Sequence, residues 1–215
     1  MHAAIHELAA EEIAAWRRDG FVVLDQFVDS VTLDRLRRAY DDILYERIVA
    51  EGDRVLGTLT RQVMFPSKAH PVFDQNAAVE AGVSIARQLF GVEQARRSFD
   101  MLIYKAPGHP HETPWHQDAA YGVQPFAAAG SPISDREIQF WLPVDDVDIE
   151  NGCMQFIPGC HTAPLLEHYV AAGDPADESR LLALVDPIEQ LNLTRRVVAE
   201  IPAGGVTMHA SGTPH

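Results

Sequence analysis

The spacing of apolar residues divides this chain into a helical first part and a strand-rich remainder. Residues 9–19 follow the helical period, with acidic side chains early and arginines late. A short strand, Phe21–Leu24, is predicted next, and a second amphipathic helix is predicted to begin with Ser30 as its cap. Residues 50–75 lack a clear period and are predicted to be mostly loop, with a short strand around Gln62–Phe65. A third helix is predicted over 76–90.

Beyond residue 96 the apolar residues alternate with polar ones, which is typical of β-strands. Predicted strands cover Ser98–Lys105, Glu137–Val144, Cys153–Ile157, Thr194–Ile201 and the stretch from Val206 to the end. Residues 164–192 are predicted to be a helical or irregular excursion. Short strands after a helical first third favour a compact antiparallel β-barrel or jelly roll with helices packed outside. We therefore expect one domain over 1–215, with a helical part at 1–95 and a β core at 96–215.

Composition narrows the class of protein. The 215 residues are 47% hydrophobic, which is enough for one sizeable core. The net charge of −14 disfavours nucleic acid and anionic membranes as partners, because both require a basic surface. No apolar run is long enough for a membrane span and no signal-sequence pattern is present, so we expect a cytoplasmic protein. Two cysteines are too few for a disulfide scaffold or a structural zinc site.

The segment Pro114-Trp115-His116-Gln117-Asp118 contains the strongest candidates for metal binding. On an extended strand alternate side chains share a face, so His116 and Asp118 would lie side by side. A third ligand from a distant part of the chain would complete the set of two histidines and one carboxylate that holds non-haem Fe(II). His-x-Asp also occurs by chance in many proteins, so this pattern alone leaves the question open.

Several further motifs occur in a recognisable order. They are His116-Gln117-Asp118, Trp141 on a strand, Asn151-Gly152-Cys153, Ile157-Pro158-Gly159-Cys160-His161, Ala203-Gly204-Gly205 and the final His215. Together they resemble the phytanoyl-CoA dioxygenase family, a family of Fe(II)- and 2-oxoglutarate-dependent oxygenases. The resemblance extends from the segment EEIAAWRRDGFVVL to the last residue, so it covers nearly all of the chain.

This resemblance implies a fold, a metal site and a reaction. The fold would be a double-stranded β-helix, and the Fe(II) ligands would be His116, Asp118 and His215. Such a set leaves coordination positions for 2-oxoglutarate and dioxygen. The implied activity is hydroxylation of an unactivated C–H bond in a small organic substrate, with release of succinate and carbon dioxide. Related halogenases have a small residue where Asp118 stands, so Asp118 favours hydroxylation.

Three other residues match family positions near 2-oxoglutarate or lie close to them. Gln117 and Trp141 match directly, whereas Lys105 ends the strand before the iron segment and could reach a carboxylate of the cosubstrate. Each has an alternative interpretation. Gln117 could instead tie strands together, Trp141 could pack inside the barrel, and Lys105 could be a solvated lysine at a strand end.

Two points remain open from the sequence. His209 lies six residues before His215 and competes with it as the third ligand, although the spacing from Gly204-Gly205 favours His215. The family also places an arginine after the distal histidine to hold 2-oxoglutarate, and the given sequence ends at His215. We expect that arginine in a longer protein. The competing functions are a catalytically silent barrel that binds metal or a metabolite, and a cupin-like hydrolase or isomerase that uses zinc or manganese.

Overall fold

The computed structural model describes residues 7–56, 60–110, 112–122, 126–176 and 180–215. Its helices are α1 (Ala10–Asp19), α2 (Ser30–Leu44), α3 (Pro66–Ala69), α4 (Ala77–Phe90) and α5 (Pro187–Gln190). Its strands are β1 (Phe21–Leu24), β2 (Asp53–Leu56), β3 (Thr60–Met64), β4 (Met101–Lys105), β5 (Ile138–Trp141), β6 (Met154–Phe156), β7 (His168–Ala172), β8 (Leu181–Leu184), β9 (Val197–Ala199) and β10 (Val206–Ala210).

The three predicted helices are present, and their capping residues explain where they begin and end. Asp29, and not the predicted Ser30, caps α2, since its side chain accepts a hydrogen bond from the Thr32 N–H at 2.7 Å. Asn76 caps α4 by accepting from two backbone N–H groups. Gly20 ends α1 in the left-handed conformation that residues with a side chain rarely adopt.

Three predictions of local structure were wrong. The region 50–75 is not mostly loop, because it contains β2 and α3 as well as β3, which matches the short strand predicted around Gln62–Phe65. Residues 164–192 contain the antiparallel hairpin of β7 and β8. Strand β7 was missed because its inward positions include a histidine and an alanine, which do not form a clear hydrophobic pattern. The last strand ends at Ala210 and a turn follows, because Thr213 donates its backbone N–H back to the Ala210 carbonyl.

Two layers of strands face each other. The first is a sheet in the order β1-β10-β5, with antiparallel pairing throughout. The second layer is held together by backbone hydrogen bonds between neighbouring segments. Ile157, just after β6, bonds Pro214, and the next residue, His215, pairs with His116. Leu184 of β8 bonds Trp115, the neighbour of His116. Phe21 of β1 stacks on Phe156 of β6 with ring centroids 4.6 Å apart, so the layers are in contact.

The other face of the first sheet packs against helices. Trp16 of α1 and Ile85 and Leu89 of α4 share one buried cluster with alternate residues of β1 and β10. The same alternation leaves the remaining β10 side chains, Thr207 and His209, facing the second layer. No helix among the described residues is long and apolar enough to cross a membrane. The cytoplasmic location expected from the sequence stays a prediction.

Replacing Gly20 with alanine is expected to lower the free energy of unfolding by about 3 kcal/mol. Gly20 has φ 85°, and an added Cβ would lie 2.5 Å from the His161 ring. The cost of the left-handed backbone and the cost of the overlap with the His161 ring therefore add in the free energy of unfolding. Gly91 is the matched control, because it ends α4 with φ 63° but a Cβ there meets nothing within 4 Å. Gly91→Ala should cost only about 1 kcal/mol. Urea denaturation measures both, and equal losses would contradict the role of His161.

Candidate metal centre

The segment that carries His116 and Asp118 is extended only as far as Gln117. Asp118 begins a single turn of 3₁₀-helix, Asp118–Ala120, so the two residues do not lie on one regular strand as predicted. The turn is fixed at both ends, since Ala119 donates its N–H to the Ser211 carbonyl and Tyr121 donates to the Asp118 carbonyl. The bend at Asp118 places its carboxylate beside the end of the chain.

His215 lies next to His116 because the two residues pair through their backbones. The N–H of each donates to the carbonyl of the other, at 2.9 and 3.0 Å. Ligand atoms of His116, Asp118 and His215 all lie within 4.8 Å of one another. Each imidazole Nε2 is 3.8 Å from a carboxylate oxygen of Asp118. The structure thus brings together the three residues that the sequence predicted as a triad.

Hydrogen bonds select the tautomer of both triad histidines. The Nδ1–H of His116 donates to the Pro114 carbonyl and that of His215 to the Thr213 carbonyl, each at 2.9 Å. A neutral imidazole that donates from Nδ1 keeps its lone pair on Nε2. Both Nε2 atoms lie toward Asp118, so two lone pairs converge on one carboxylate. Fixing the ring through the other nitrogen is the usual arrangement around metal-ligating histidines.

The electrostatics of the triad favour a divalent cation. Burial, helped by the neighbouring His215, lowers the pKa of His116 to about 4, and burial with His209 nearby lowers the pKa of His215 to about 4. Burial alone would raise the pKa of Asp118, but the adjacent histidines outweigh it and the pKa lies below its usual value. At neutral pH the site therefore offers two neutral imidazoles and one carboxylate, which is a donor set that Fe(II) accepts.

His209 lies beside the triad and bonds to it. Its Nε2–H donates to Asp118 Oδ2 at 3.0 Å, and its ring centroid is 4.2 Å from that of His215. Phe156, fully buried, packs against both rings. The sequence left His209 as a competitor for the third ligand. In the structure its Nε2 contacts a carboxylate oxygen of Asp118, and this contact suits a supporting hydrogen bond.

The predicted cosubstrate residues occupy different environments. Lys105 is half-buried at the end of β4, where burial lowers its pKa, and its ammonium donates to Thr113 Oγ1 at 2.8 Å. Trp141 of β5 lies opposite Thr207 of β10, on the side of the first sheet that faces the second layer. Gln117 is 1% exposed and its amide bonds two backbone groups. Those contacts match the alternative interpretation of the sequence, in which Gln117 ties strands together.

Two further residues near the site were missed by sequence reasoning. Tyr121 packs edge-on to His116 with ring centroids 6.1 Å apart, and its hydroxyl accepts a hydrogen bond from the Leu182 N–H. His168 bonds the backbone of Gln117 from the hairpin strand β7. Tyr121 could have been found from its position just after the His-x-Asp motif. Nothing in the local pattern singles out His168.

Comparison with known families and proteins identifies relatives. The family model described as Phytanoyl-CoA dioxygenase (PhyH) matches residues 16–215. Phytanoyl-CoA dioxygenase domain-containing protein 1 of Bos taurus is 24% identical over 200 residues, which cover 72% of this chain and 66% of the relative. The peroxisomal phytanoyl-CoA dioxygenase of Bos taurus is 25% identical over 175 residues, covering 75% and 50%. The chain thus spans between half and two thirds of these curated relatives.

Solved structures share the fold. EvdO2 from Micromonospora carbonacea var. aurantiaca, complexed with 2-oxoglutarate, has a TM-score of 0.73 and 25% identity, with 99% of this chain and 85% of that chain covered. EctD from S. alaskensis, with 2-oxoglutarate and 5-hydroxyectoine, has a TM-score of 0.67 and 18% identity, with 100% and 74% covered. The mainly β architecture is therefore the double-stranded β-helix that the resemblance implied.

Proposed function

Because this chain belongs to the phytanoyl-CoA dioxygenase family, we propose that it is an Fe(II)- and 2-oxoglutarate-dependent dioxygenase. It would hydroxylate an unactivated C–H bond of a small organic substrate. One oxygen atom of dioxygen enters the product and the other enters succinate, while the cosubstrate loses carbon dioxide. The partners are accordingly the organic substrate, 2-oxoglutarate and dioxygen.

The observation that carries this proposal is the convergence of His116, Asp118 and His215, whose ligand atoms lie within 4.8 Å of one another. Two features go beyond proximity. Both histidines donate from Nδ1 to a carbonyl two residues earlier, which leaves Nε2 for the metal. Asp118 is ionised, so it supplies negative charge against a dication. A set of two histidines and one carboxylate with open positions is typical of non-haem Fe(II) oxygenases.

The chain's own residues would bind, orient and shield the reactants. His116, Asp118 and His215 would hold the iron, and His209 would orient the Asp118 carboxylate through its hydrogen bond. Phe156 closes the site behind the histidine rings and excludes water there. When bound, Fe(II) and 2-oxoglutarate would together supply the oxidising power. Lys105 would attract a carboxylate of 2-oxoglutarate, since its ammonium lies beside Thr113, close in sequence to His116.

The test is succinate formation that requires both dioxygen and Fe(II). Purified protein is incubated with Fe(II), 2-oxoglutarate and a panel of small metabolites, and succinate is measured in air and under nitrogen. We expect one or more metabolites to stimulate succinate release only in air, with a product heavier by one oxygen atom. Metal binding without succinate would support a silent barrel instead. Turnover of a metabolite under nitrogen with zinc or manganese would support a hydrolase or isomerase.

A further inference from the structure

His168 makes a buried bond to the backbone between two triad residues. It is 3% exposed, and its Nε2 accepts a hydrogen bond from the Gln117 N–H at 3.1 Å. Its Nδ1–H donates to the Leu166 carbonyl at 2.8 Å. Both ring nitrogens are therefore used, and the tautomer is determined because a backbone N–H can only donate. His168 comes from β7, 51 residues away from the peptide that it holds.

The side chain of Gln117 links this segment to the turn before the third triad residue, His215. Its Oε1 accepts from the Leu166 N–H at 2.9 Å, and its Nε2–H donates to the Gly212 carbonyl at 2.7 Å. Gly212 lies in the turn that leads to His215. Gln117 is 1% exposed, so these bonds have no competition from water. One residue thus connects the hairpin, the His-x-Asp segment and the turn before His215.

We infer that His168 and Gln117 are positioning residues that hold the triad in a geometry ready for metal. The inference rests on the proposed metal site. The His168 bond fixes the peptide between His116 and Asp118, and the Gln117 amide fixes the turn before His215. Neither side chain needs to touch the metal for this effect. Outer partners that orient ligands influence metal affinity in other proteins by about 10- to 100-fold when they are removed.

A purely structural role makes a different prediction. If the bonds only stabilise the barrel, their loss lowers the unfolding temperature of the metal-free protein and leaves metal affinity unchanged in the folded fraction. If they position the triad, their loss weakens affinity and alters the ligand field even where the protein is fully folded. Affinity and spectrum therefore separate the two roles.

The experiment compares His168→Asn with His168→Gln in the full chain. The two variants differ by one methylene group. The glutamine amide oxygen reaches about as far as the imidazole Nε2 and can accept from the Gln117 N–H, whereas the asparagine oxygen stops short of it. Co(II) is the probe, because its visible absorption reports coordination directly. Titration gives the affinity, and thermal unfolding of the metal-free protein gives the stability.

We expect His168→Asn to bind Co(II) about 10- to 100-fold more weakly than the wild type, with a changed spectrum, and His168→Gln to recover most of the loss. Ile85→Val serves as the control for lost stability alone, since Ile85 is fully buried in the helix-covered cluster away from the triad. It should lower the unfolding temperature and leave the Co(II) affinity unchanged. Gln117→Met, which keeps the backbone N–H and loses both amide bonds, should also weaken Co(II) binding.

The failures are distinguishable. Unchanged affinity and spectrum in both His168→Asn and Gln117→Met would overturn the positioning role while leaving the metal site in place. An equal loss of Co(II) affinity in His168→Asn and Ile85→Val would also overturn the positioning role, because a general loss of stability would then account for the weaker binding. Absence of Co(II) binding by the wild type would instead overturn the proposed metal site itself.

Discussion

Replacing Asp118 with alanine is expected to weaken metal binding and to abolish hydroxylation together with the succinate formed in it. Asp118 is the carboxylate on which the imidazoles of His116, His209 and His215 converge, at 3.0 to 3.8 Å. Its removal leaves two neutral ligands, which offset less of the cost of taking a dication out of water. It also leaves the buried Nε2–H of His209 without its acceptor. Metal titration and the succinate assay measure the two losses.

A control for the loss of one negative charge is available on the surface. The side chain of Asp145 is 80% exposed, and its contact with Arg37 at 3.6 Å is a surface ion pair of small energetic value. Asp145→Ala should keep wild-type metal affinity and turnover. Turnover in Asp118→Ala at the wild-type rate would rule out Asp118 as a ligand, and the metal site would then have to be sought elsewhere.

Replacing His215 and His209 one at a time is expected to distinguish the residue that binds the metal from the residue that only orients Asp118. His215→Ala should lose high-affinity metal binding, since a lone pair directed at the site disappears. His209→Phe should keep metal binding with an affinity lowered by about 10-fold, because only the hydrogen bond to Asp118 Oδ2 is lost. Phenylalanine fills the space between Phe156 and His215 that the imidazole occupies. Metal titration and the Co(II) spectrum compare the two variants.

The reverse order of effects would reverse the assignment. If His209→Phe abolished binding and His215→Ala retained it, His209 would be the third ligand, as the alternative interpretation of the sequence has it. The unfolding temperature of each metal-free variant is needed beside the affinity. Both residues are buried, so a variant that is unfolded at the assay temperature would lose binding for that reason alone.

The sequence by itself determined much of the outline. Helical periodicity located α1, α2 and α4, because amphipathic spacing and capping residues act within a few positions of the chain. Alternation located β4 and β5 for the same local reason, although the predicted ends of both strands extended too far. The order of motifs from the His-x-Asp segment to the last histidine indicated the family and the triad residues.

Only the tertiary structure decided how those residues are supported. The bonds from His168 to Gln117, from Gln117 to Gly212 and from His209 to Asp118 join residues 51, 95 and 91 positions apart. Hydropathy reports which face of an element is buried, but it carries no information on which distant polar group will satisfy a buried donor. That choice depends on the packing of both layers, so the contacts of Gln117 and His209 became visible only in three dimensions.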